Sequence, residues 1–279
     1  MFVEDTFVTC AQGHRHWGLH GAAGLLLTDP ERGVLLQRRA WWTHHGRTWA
    51  LPGGAKRPGE TAAEAATREA DEEAAVPPEV VRPLASSTVD HGGWDYTTVL
   101  AVARDRVSER VRNKESTELR WVPVDEVAEY RLHRDFALAW PDLRTQVGRE
   151  LVLVVDAANV MGSRPDGWWR DRAGAAARLR DQLAPLALTG MAPPLPGEWY
   201  WWPRVVLVVE GQARGVTSIP GVEVVPATRD GDSEIVSVVG SARAEDHVLV
   251  ATADRELRSR VEAAGATVMG PRPLLNLLS

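Results

Sequence analysis

The segment from Leu51 to Pro78 constrains the fold of this chain more than any other part of the sequence. Leu51-Pro52-Gly53-Gly54 is a turn signal that ends a strand. Thr61-Ala-Ala-Glu64 is a capping-box pattern, which predicts that a helix starts at Thr61. Alanines fill the positions that follow, and Pro77-Pro78 stops the helix. The sequence therefore predicts a strand, a turn and a helix in succession.

Three glutamates on this helix form a pattern that indicates chemistry. Glu69, Glu72 and Glu73 stand at positions i, i+3 and i+4, so their carboxylates share one face of the helix. Like charges at that spacing destabilise a bare helix, but a divalent cation between them reverses the effect. Carboxylate oxygens suit Mg²⁺ or Mn²⁺, which in turn bind phosphate oxygens. The alternative interpretation is a solvated acidic helix face without a ligand.

The spacing of these acids and their neighbours resembles the Nudix box. That motif consists of glycine, five residues, glutamate, seven residues, arginine-glutamate, an apolar residue, any residue, two glutamates, any residue, glycine and an apolar residue. The sequence matches it at Gly54, Glu60, Arg68, Glu69, Glu72, Glu73 and Val76. Two positions depart from the motif. Ala70 is a small version of the apolar residue, and Ala75 replaces the glycine expected in a left-handed conformation after the helix.

Other segments extend the resemblance to about residues 16–147, which implies a Nudix domain with an α/β/α sandwich fold. Residues 24–39 look like the paired strands that open such a fold, with two apolar runs around an Asp-Pro-Glu-Arg-Gly turn. Residues 49–54 lead into the box as they do in many relatives. Residues 118–127 resemble the usual late strand and the short helix that follows it.

The resemblance implies metal-assisted attack of water on a phosphorus atom of a diphosphate, with Mg²⁺ or Mn²⁺ as the cofactor and a nucleotide as the substrate. The implied metal site consists of Gly54, Glu60, Glu69, Glu72 and Glu73. The implied catalytic residues are Arg68, Glu69, Glu72 and Glu73, with Arg68 expected to orient a glutamate through a salt bridge. The general base is either a glutamate of the box or an acid in a later loop.

The expected substrate is a nucleoside diphosphate linked to a further group. Gln37-Arg38-Arg39, taken with residues 49–54, most resembles the branch of the family that acts on nucleoside triphosphates. Arg38 and Arg39 are therefore the expected substrate-binding residues of this domain. Four tryptophans could stack on a base or could instead belong to the core or the strands: Trp41, Trp42, Trp49 and Trp94.

The second half of the chain alternates strands and helices, which predicts a buried and mainly parallel sheet. The predicted strands are residues 151–155, 205–209, 222–225, 248–251 and 267–269, and the predicted helices are residues 170–184, 233–243 and 254–264. Ligands of such sheets bind at the carboxyl ends of the strands. Acids follow four successive predicted strands: Asp156, Glu210, Asp230 with Asp232, and Asp254.

The pattern of these acids resembles the NYN branch of PIN-like nucleases, which are metal-dependent RNA-cleaving α/β folds of Rossmann-like topology. The resemblance implies metal ligands at Asp156, Asp232 and Asp254, a polar neighbour at Asn159 and phosphate contacts from Arg164. The residues around Arg164 could instead be a structural loop. The second domain is thus either a nuclease or a degenerate module that binds RNA or a partner. A further alternative is that the first domain is a nucleotide sensor, against which the intact glutamate set argues.

The bulk properties of the chain limit its class. A length of 279 residues suggests two domains, and a polar stretch at 142–150 places the boundary between residues 148 and 149. The net charge of −6 argues against sequence-blind nucleic-acid binding, although a local basic cleft stays open. No run reaches about 18 apolar residues. The N-terminus has no basic-then-apolar leader, so a cytoplasmic protein without a membrane partner is expected, and a homodimer stays open.

The N-terminal segment also contains a group of metal-ligating residue types. Cys10 is the single cysteine, which excludes an internal disulfide and a multi-cysteine zinc site. Cys10, His14, His16 and His20 lie close together in the sequence, but their spacing fits no standard zinc site. The alternative is a buried cysteine with no ligand.

Overall fold

A computed structural model describes residues 7–43, 45–165 and 167–278 of the chain. The chain divides into two compact units, Met1–Gly148 and Arg149–Ser279. The first six residues, on which the expectation about a leader partly rests, lie outside the described ranges.

The first unit begins with a short hairpin and continues into a mixed sheet. Strands β1 (Phe7–Thr9) and β2 (Arg15–Trp17) pair antiparallel with each other. The mixed sheet has the order β7-β8-β3-β4-β5, with β6 on β3 and β9 on β4. Its strands are β3 (Ala22–Asp29), β4 (Gly33–Arg39), β5 (Trp49–Ala50), β6 (Gly53–Ala55), β7 (Val81–Asp90), β8 (Asp95–Ala103) and β9 (Ser116–Val122). The helices of the unit are α1 (Ala62–Ala74) and α2 (Arg134–Gln146).

Helix α1 forms for the local reasons that the sequence indicates. Thr61 is its N-cap, and the reciprocal bonds of the capping box with Glu64 are both present. Ala75 ends the helix in the left-handed conformation, with φ of 60° and ψ of 35°. The predicted start at Thr61 and the predicted left-handed residue at position 75 are therefore confirmed.

The alanines of α1 make the packing contact that fixes the glutamate face. Ala65, Ala66, Ala70 and Ala74 are buried in a core cluster together with Leu25 and Leu27 of β3 and Val99 of β8. Small side chains let the helix backbone approach the sheet closely, and burial of the apolar area stabilises the contact. Glu73 is buried on the same side of the helix as these alanines.

Two expectations about the first unit meet different outcomes. The predicted pair of strands within residues 24–39 is confirmed, since β3 and β4 pair antiparallel around the predicted turn. The interpretation of residues 142–150 as a polar linker is partly wrong, because α2 continues to Gln146. The reason is that Phe136, Trp140 and Leu143 recur at helical spacing and bury one side of this polar segment.

The second unit contains the predicted parallel sheet, in the order β13-β12-β10-β14-β15. Its strands are β10 (Leu151–Asp156), β12 (Arg204–Val209), β13 (Val222–Pro226), β14 (His247–Ala251) and β15 (Thr267–Met269). A further strand is β11 (Trp199–Trp201). The helices are α3 (Ala157–Gly162), α4 (Arg172–Thr189), α5 (Gly231–Ser241), α6 (Arg255–Ala263) and α7 (Pro271–Asn276).

The buried valines of this sheet explain why it forms. Val152, Val154 and Val206 are almost fully buried in one core cluster with Ile235 of α5 and Leu257 of α6. Strands that are covered on both faces have continuous apolar sequences, and this pattern predicted the strands of the sheet. None of the helices in the described part of the chain combines the length and the apolar character that crossing a bilayer requires.

The expectation of a long loop at residues 191–203 is partly wrong. The segment has no helix, but Trp199–Trp201 forms strand β11. Trp201 exchanges two backbone hydrogen bonds with Met191, at 2.7 and 2.8 Å. Aromatic residues favour extended backbone, and the aromatic residues that follow Gly197 form the strand for this reason.

We expect Ala75→Gly to stabilise the first unit. A left-handed Ala costs about 1 kcal/mol relative to Gly at a helix C-terminus, so relief of that strain should raise the melting temperature by roughly 2–4 °C. Calorimetry of the full chain measures the shift. Ala63→Gly is the matched control, because Ala63 lies inside the same helix and the change there should lower the melting temperature. An unchanged or lower melting temperature for Ala75→Gly would show that position 75 carries no strain.

Candidate functional site

Glu73 is the most enclosed acid of the glutamate face on α1. Its side chain is 4% exposed, and both of its oxygens accept hydrogen bonds. Oε2 accepts from the Gly53 amide at 2.9 Å and from Gln37 Nε2 at 3.0 Å, while Oε1 accepts from Asn113 Nδ2 at 3.2 Å. Burial raises the pKa of Glu73 to about 7, and the nearby charge of Glu69 adds to the rise. This carboxylate is therefore held in one position by donors from three separate segments.

Arg68 organises the neighbouring acids. Its guanidinium donates to both oxygens of Glu60, at 2.7 and 2.9 Å, and to Glu69 Oε1 at 2.6 Å. A fourth bond, from Nη2 to the Ala55 carbonyl at 3.0 Å, ties the same group to β6. Hydrogen bonds from Arg68 hold the pKa of Glu60 below its ordinary value. The planar guanidinium of Arg68 thus fixes the carboxylates of Glu60 and Glu69 relative to the segment before the helix.

Glu69 and Glu72 differ in their exposure to solvent. Burial raises the pKa of Glu69, partly offset by Arg68, and the charge of Glu72 raises it further. The side chain of Glu72 is 49% exposed and lies 3.2 Å from Arg57 and 3.6 Å from Arg68. Of the three glutamates, Glu73 is therefore the most buried and Glu72 the most exposed.

Gly54 is required by the closeness of β6 to the helix. A Cβ atom at this position would lie 2.6 Å from the carboxylate carbon and from Oε1 of Glu69. Real Cβ contacts of that length do not occur, so any side chain at position 54 would displace Glu69 or the strand. The first glycine of the predicted motif thus serves to let a carboxylate approach the backbone.

The donor set fits a hard divalent cation. It consists of carboxylate oxygens, with the backbone of the Gly53-Gly54 turn beside them, and it contains no nitrogen or sulfur ligand. The charge of Glu72 raises the pKa of Glu69, and the charge of Glu69 raises the pKa of Glu73, so these like charges lie close together. A cation such as Mg²⁺ or Mn²⁺ would relieve that repulsion.

Sequence reasoning missed the residues that position Glu73. Gln37 is 1% exposed and bonds to Glu73, to the Leu51 carbonyl and, through its own oxygen, to the hydroxyl of Ser116. Asn113 lies in the loop before β9 and holds the other oxygen of Glu73. A glutamine inside the apolar run of β4 is a signal of a buried polar contact, because buried polar groups need partners.

The predicted substrate residues lie on β4 and in the loop after it. Arg38 is exposed and its guanidinium lies 3.6 Å from Glu118, while Arg39 is half-buried. Among the four tryptophans, Trp49 and Trp94 are buried, at 8% and 9% exposure. Trp41 and Trp42 are exposed, at 68% and 56%, with ring centroids 5.5 Å apart.

Comparisons with known proteins concern the same part of the chain. A family model described as NUDIX domain matches residues 18–140. "Putative 8-oxo-dGTP diphosphatase 3" of Mycobacterium tuberculosis is 45% identical over 151 residues, which cover 50% of this chain and 69% of that protein. The chain belongs to the Nudix family. The prediction of a Nudix domain from the sequence is thereby confirmed.

Two further relatives match the Nudix half. The nucleoside triphosphate pyrophosphatase/Nudix hydrolase fusion protein of Bifidobacterium longum is 42% identical over 145 residues, covering 49% of this chain and 30% of that protein. The crystal structure of the Nudix hydrolase RenU from M. smegmatis has 46% sequence identity and a TM-score of 0.46, and the match covers 50% of this chain and 92% of that chain.

The acids of the second unit lie at the carboxyl edge of its sheet. Asp156 is the last residue of β10 and is 8% exposed. Asp232 is half-buried in the first turn of α5, and the exposed Asp254 caps α6 in the short segment that follows β14. Burial raises the pKa of Asp156, and the charges of Asp232 and Glu210 raise it further. The pKa of Asp232 is raised by burial and by Asp254.

Hydrogen bonds tie the ends of β10 and β14 together. Thr252 Oγ1 donates to Asp156 Oδ2 at 2.9 Å, and the Ala253 amide donates to Asn159 Oδ1 at 2.8 Å. The chain proceeds from β10 to β12 and β13 on one side and to β14 and β15 on the other. The gap between β10 and β14 is thus the topological switch point, where ligands of open α/β sheets bind. Arg164 is turned to α4, where its Nη1 donates to Gln182 at 2.9 Å.

We expect Gly54→Ala to destabilise the Nudix domain through Glu69 alone. Overpacking of this kind costs about 1–3 kcal/mol, so the melting temperature should fall. In a Glu69→Ala background the added methyl group has room, and the second substitution should cost little. Thermal unfolding of the four proteins of this cycle measures the coupling. Equal losses in both backgrounds would show that the backbone of β6, and not Glu69, excludes a side chain at position 54.

Proposed function

We propose that the Nudix domain hydrolyses a nucleoside diphosphate linked to a further group, in a reaction that depends on Mg²⁺ or Mn²⁺. The observation that carries this proposal is the ordered glutamate face of α1, in which Glu73 is fixed by three donors beside Glu69 and Glu72. Three acids held close together on one helix repel one another, and a divalent cation between them would relieve that repulsion.

The residues of the domain divide into ligands and groups that position ligands. Glu69, Glu72 and Glu73 would hold the metal, with Glu60 and the Gly54 turn beside them. When bound, the metal neutralises phosphate oxygens and polarises water. Arg68 orients Glu60 and Glu69 from one side. Gln37 holds Glu73 from the other side. The general base is one of the glutamates or an acid of a later loop.

The substrate class we propose is a nucleoside triphosphate or a related pyrophosphate. A relative that matches the Nudix half carries a name of this class, "Putative 8-oxo-dGTP diphosphatase 3". Trp41 and Trp42 leave two aromatic faces exposed directly after β4, and such faces stack on bases. Arg38 and Arg39 at the end of the same strand would supply positive charge for phosphate.

We expect Glu72→Gln and Glu73→Gln each to remove most of the Mg²⁺-dependent hydrolysis of nucleoside triphosphates. Each change neutralises a proposed ligand, so the loss should exceed the roughly 10–100-fold effect of removing a partner behind a metal ligand. Release of pyrophosphate and nucleoside monophosphate measures the rate. A nucleotide sensor, the competing interpretation, would bind the nucleotide without any turnover.

Glu64→Gln is the matched control for these variants. It neutralises a glutamate of the same helix, and glutamine also completes a capping box, so activity and melting temperature should stay near wild type. Glu73 is buried, so its substitution can also affect folding. The Glu72→Gln variant is measured beside it because the side chain of Glu72 is exposed. A near wild-type rate for Glu72→Gln in a folded protein would disprove the site assignment.

A second candidate function concerns the second unit, which we propose to be a PIN-like domain that cleaves RNA with a divalent metal. The specific observation in favour is Asp156, a buried carboxylate at the topological switch point with Asn159 and Thr252 beside it. Asp232 and Asp254 would complete the metal ligands, and Arg164 would contact phosphate. A module that binds RNA or a partner without cleavage is the alternative, and the homodimer and the cytoplasmic location stay predictions.

We expect Asp156→Asn to abolish Mn²⁺-dependent cleavage of single-stranded RNA and to leave nucleotide hydrolysis unchanged. Asparagine is also a good helix N-cap, so the start of α3 should persist while the charge is lost. Cleavage of a labelled oligonucleotide measures the first activity. Asp171→Asn is the control, since it makes the same change at the N-cap of α4. Equal RNA cleavage by the Asp156 variant would exclude this site, and no cleavage by any protein would favour the binding module.

A further inference from the structure

Four metal-ligating side chains of the Nudix domain meet away from the glutamate helix, at the N-terminal hairpin. Cys10 follows β1, His14 lies directly before β2, His16 lies within β2, and His91 lies in the turn between β7 and β8. One potential ligand atom of each, the sulfur or a ring nitrogen, lies within 4.8 Å of the other three. Within the described residues this is the one such group of histidine, cysteine and acidic side chains.

The backbone explains how these side chains converge. The Cys10 amide donates to the His14 carbonyl at 2.9 Å, and the Gly13 amide donates to the Cys10 carbonyl at 2.9 Å. The hairpin turn therefore brings Cys10 opposite His14. The alternation of side chains along a strand places His14 and His16 on one face. The Ala11 amide donates to the Gly92 carbonyl at 2.8 Å, which joins the hairpin to the turn that carries His91.

The cluster leaves buried polar atoms without a partner. His16 Nε2 and His91 Nδ1 are both buried and have no hydrogen-bond partner. A buried nitrogen without a partner costs free energy, so such atoms call for an explanation. Cys10 is 5% exposed and, as the single cysteine of the chain, has no disulfide partner within it.

The surroundings hold the ring of His16 in one position beside the other three side chains of the group. Its ring stacks on Trp94 with centroids 4.0 Å apart, which limits its rotation. A neutral imidazole offers the lone pair that a metal ligand needs.

We propose that Cys10, His14, His16 and His91 bind one Zn²⁺ ion that fastens the N-terminal hairpin to the β7–β8 turn. One thiolate and three imidazoles are a donor set for zinc, in contrast to the oxygen donors of the glutamate helix. Zinc–sulfur bonds of about 2.3 Å and zinc–nitrogen bonds of about 2.0 Å place tetrahedral ligand atoms roughly 3.3–3.6 Å apart. The observed 4.8 Å limit leaves about an ångström for the ligands to close around the ion.

The number of ligands assigns the ion a structural role. Four protein ligands fill a tetrahedral zinc and leave no open position for a substrate. The hairpin has two strands of three residues each and pairs only within itself in the described part of the chain. Such a small hairpin is marginally stable alone. A metal bond to His91 would anchor it to the main sheet.

His20 does not belong to the group of metal-ligating side chains that the structure brings together. The sequence placed Cys10, His14, His16 and His20 together, whereas the structure replaces His20 with His91. His20 is exposed and lies outside the group. It therefore provides a matched control, a histidine close in sequence to the ligands that should not bind the ion.

Metal analysis of the full-length protein tests the proposal. The wild-type protein and His20→Ala should each retain about one zinc per chain after gel filtration, as a closed four-ligand site requires. His91→Ala and Cys10→Ser should retain close to none. A strong zinc chelator should lower the melting temperature of the wild-type protein and of His20→Ala, and should leave that of the two ligand variants unchanged.

Cobalt substitution keeps the test independent of how the variants fold. Co²⁺ added to the metal-free wild-type protein should give the intense visible bands of a tetrahedral site and a near-ultraviolet thiolate-to-cobalt band. Both should disappear on addition of one equivalent of Zn²⁺. A metal-free wild-type protein that binds neither ion in stoichiometric amount would overturn the proposal. Zinc retained equally by His91→Ala and Cys10→Ser would overturn it as well.

Discussion

The close packing of the alanine face of α1 on the mixed sheet is the contact on which the candidate active site depends. Ala65, Ala66, Ala70 and Ala74 allow the helix backbone to lie close to β3 and β8. That contact sets the rotation of the helix, and the rotation in turn directs Glu69, Glu72 and Glu73 to the edge at the Gly53-Gly54 turn. A larger side chain at any of the four alanines would move the glutamates as a set.

Two arginines, Arg57 and Arg68, lie among four glutamates at this edge. Arg68 is bound to Glu60 and Glu69, while Glu73 has neutral donors only and a pKa raised to about 7 by burial. The arrangement leaves negative charge that the protein itself does not neutralise. This surplus fits a site built for a divalent ion and the phosphate oxygens it binds.

The two proposed metal sites of the Nudix domain differ in what they require of the fold. Three glutamates of the glutamate site lie on one continuous helix, and Glu60 and Gly54 lie shortly before it, so local sequence spacing encodes most of the site. The cysteine-histidine site draws its ligands from the hairpin and from a turn far along the chain. The first is suited to a labile ion that meets substrate, and the second to an ion that holds two segments together.

The sequence by itself determined the helix from its capping box, the family from the spacing of seven box residues, and the parallel sheet from its valine-rich runs. These features depend on contacts within a few residues or on periodicity, which a linear chain displays directly. Only the tertiary structure decided that Gln37 and Asn113 hold Glu73, that β11 forms from Trp199–Trp201, and that His91 joins Cys10 while His20 does not. Those contacts depend on which strands become neighbours in space. They could not be predicted from the sequence because long-range pairing leaves no local pattern in it. The positions of Asp156 and Thr252 show both cases, since apolar runs predicted their strands and the sheet order alone brought the strand ends together.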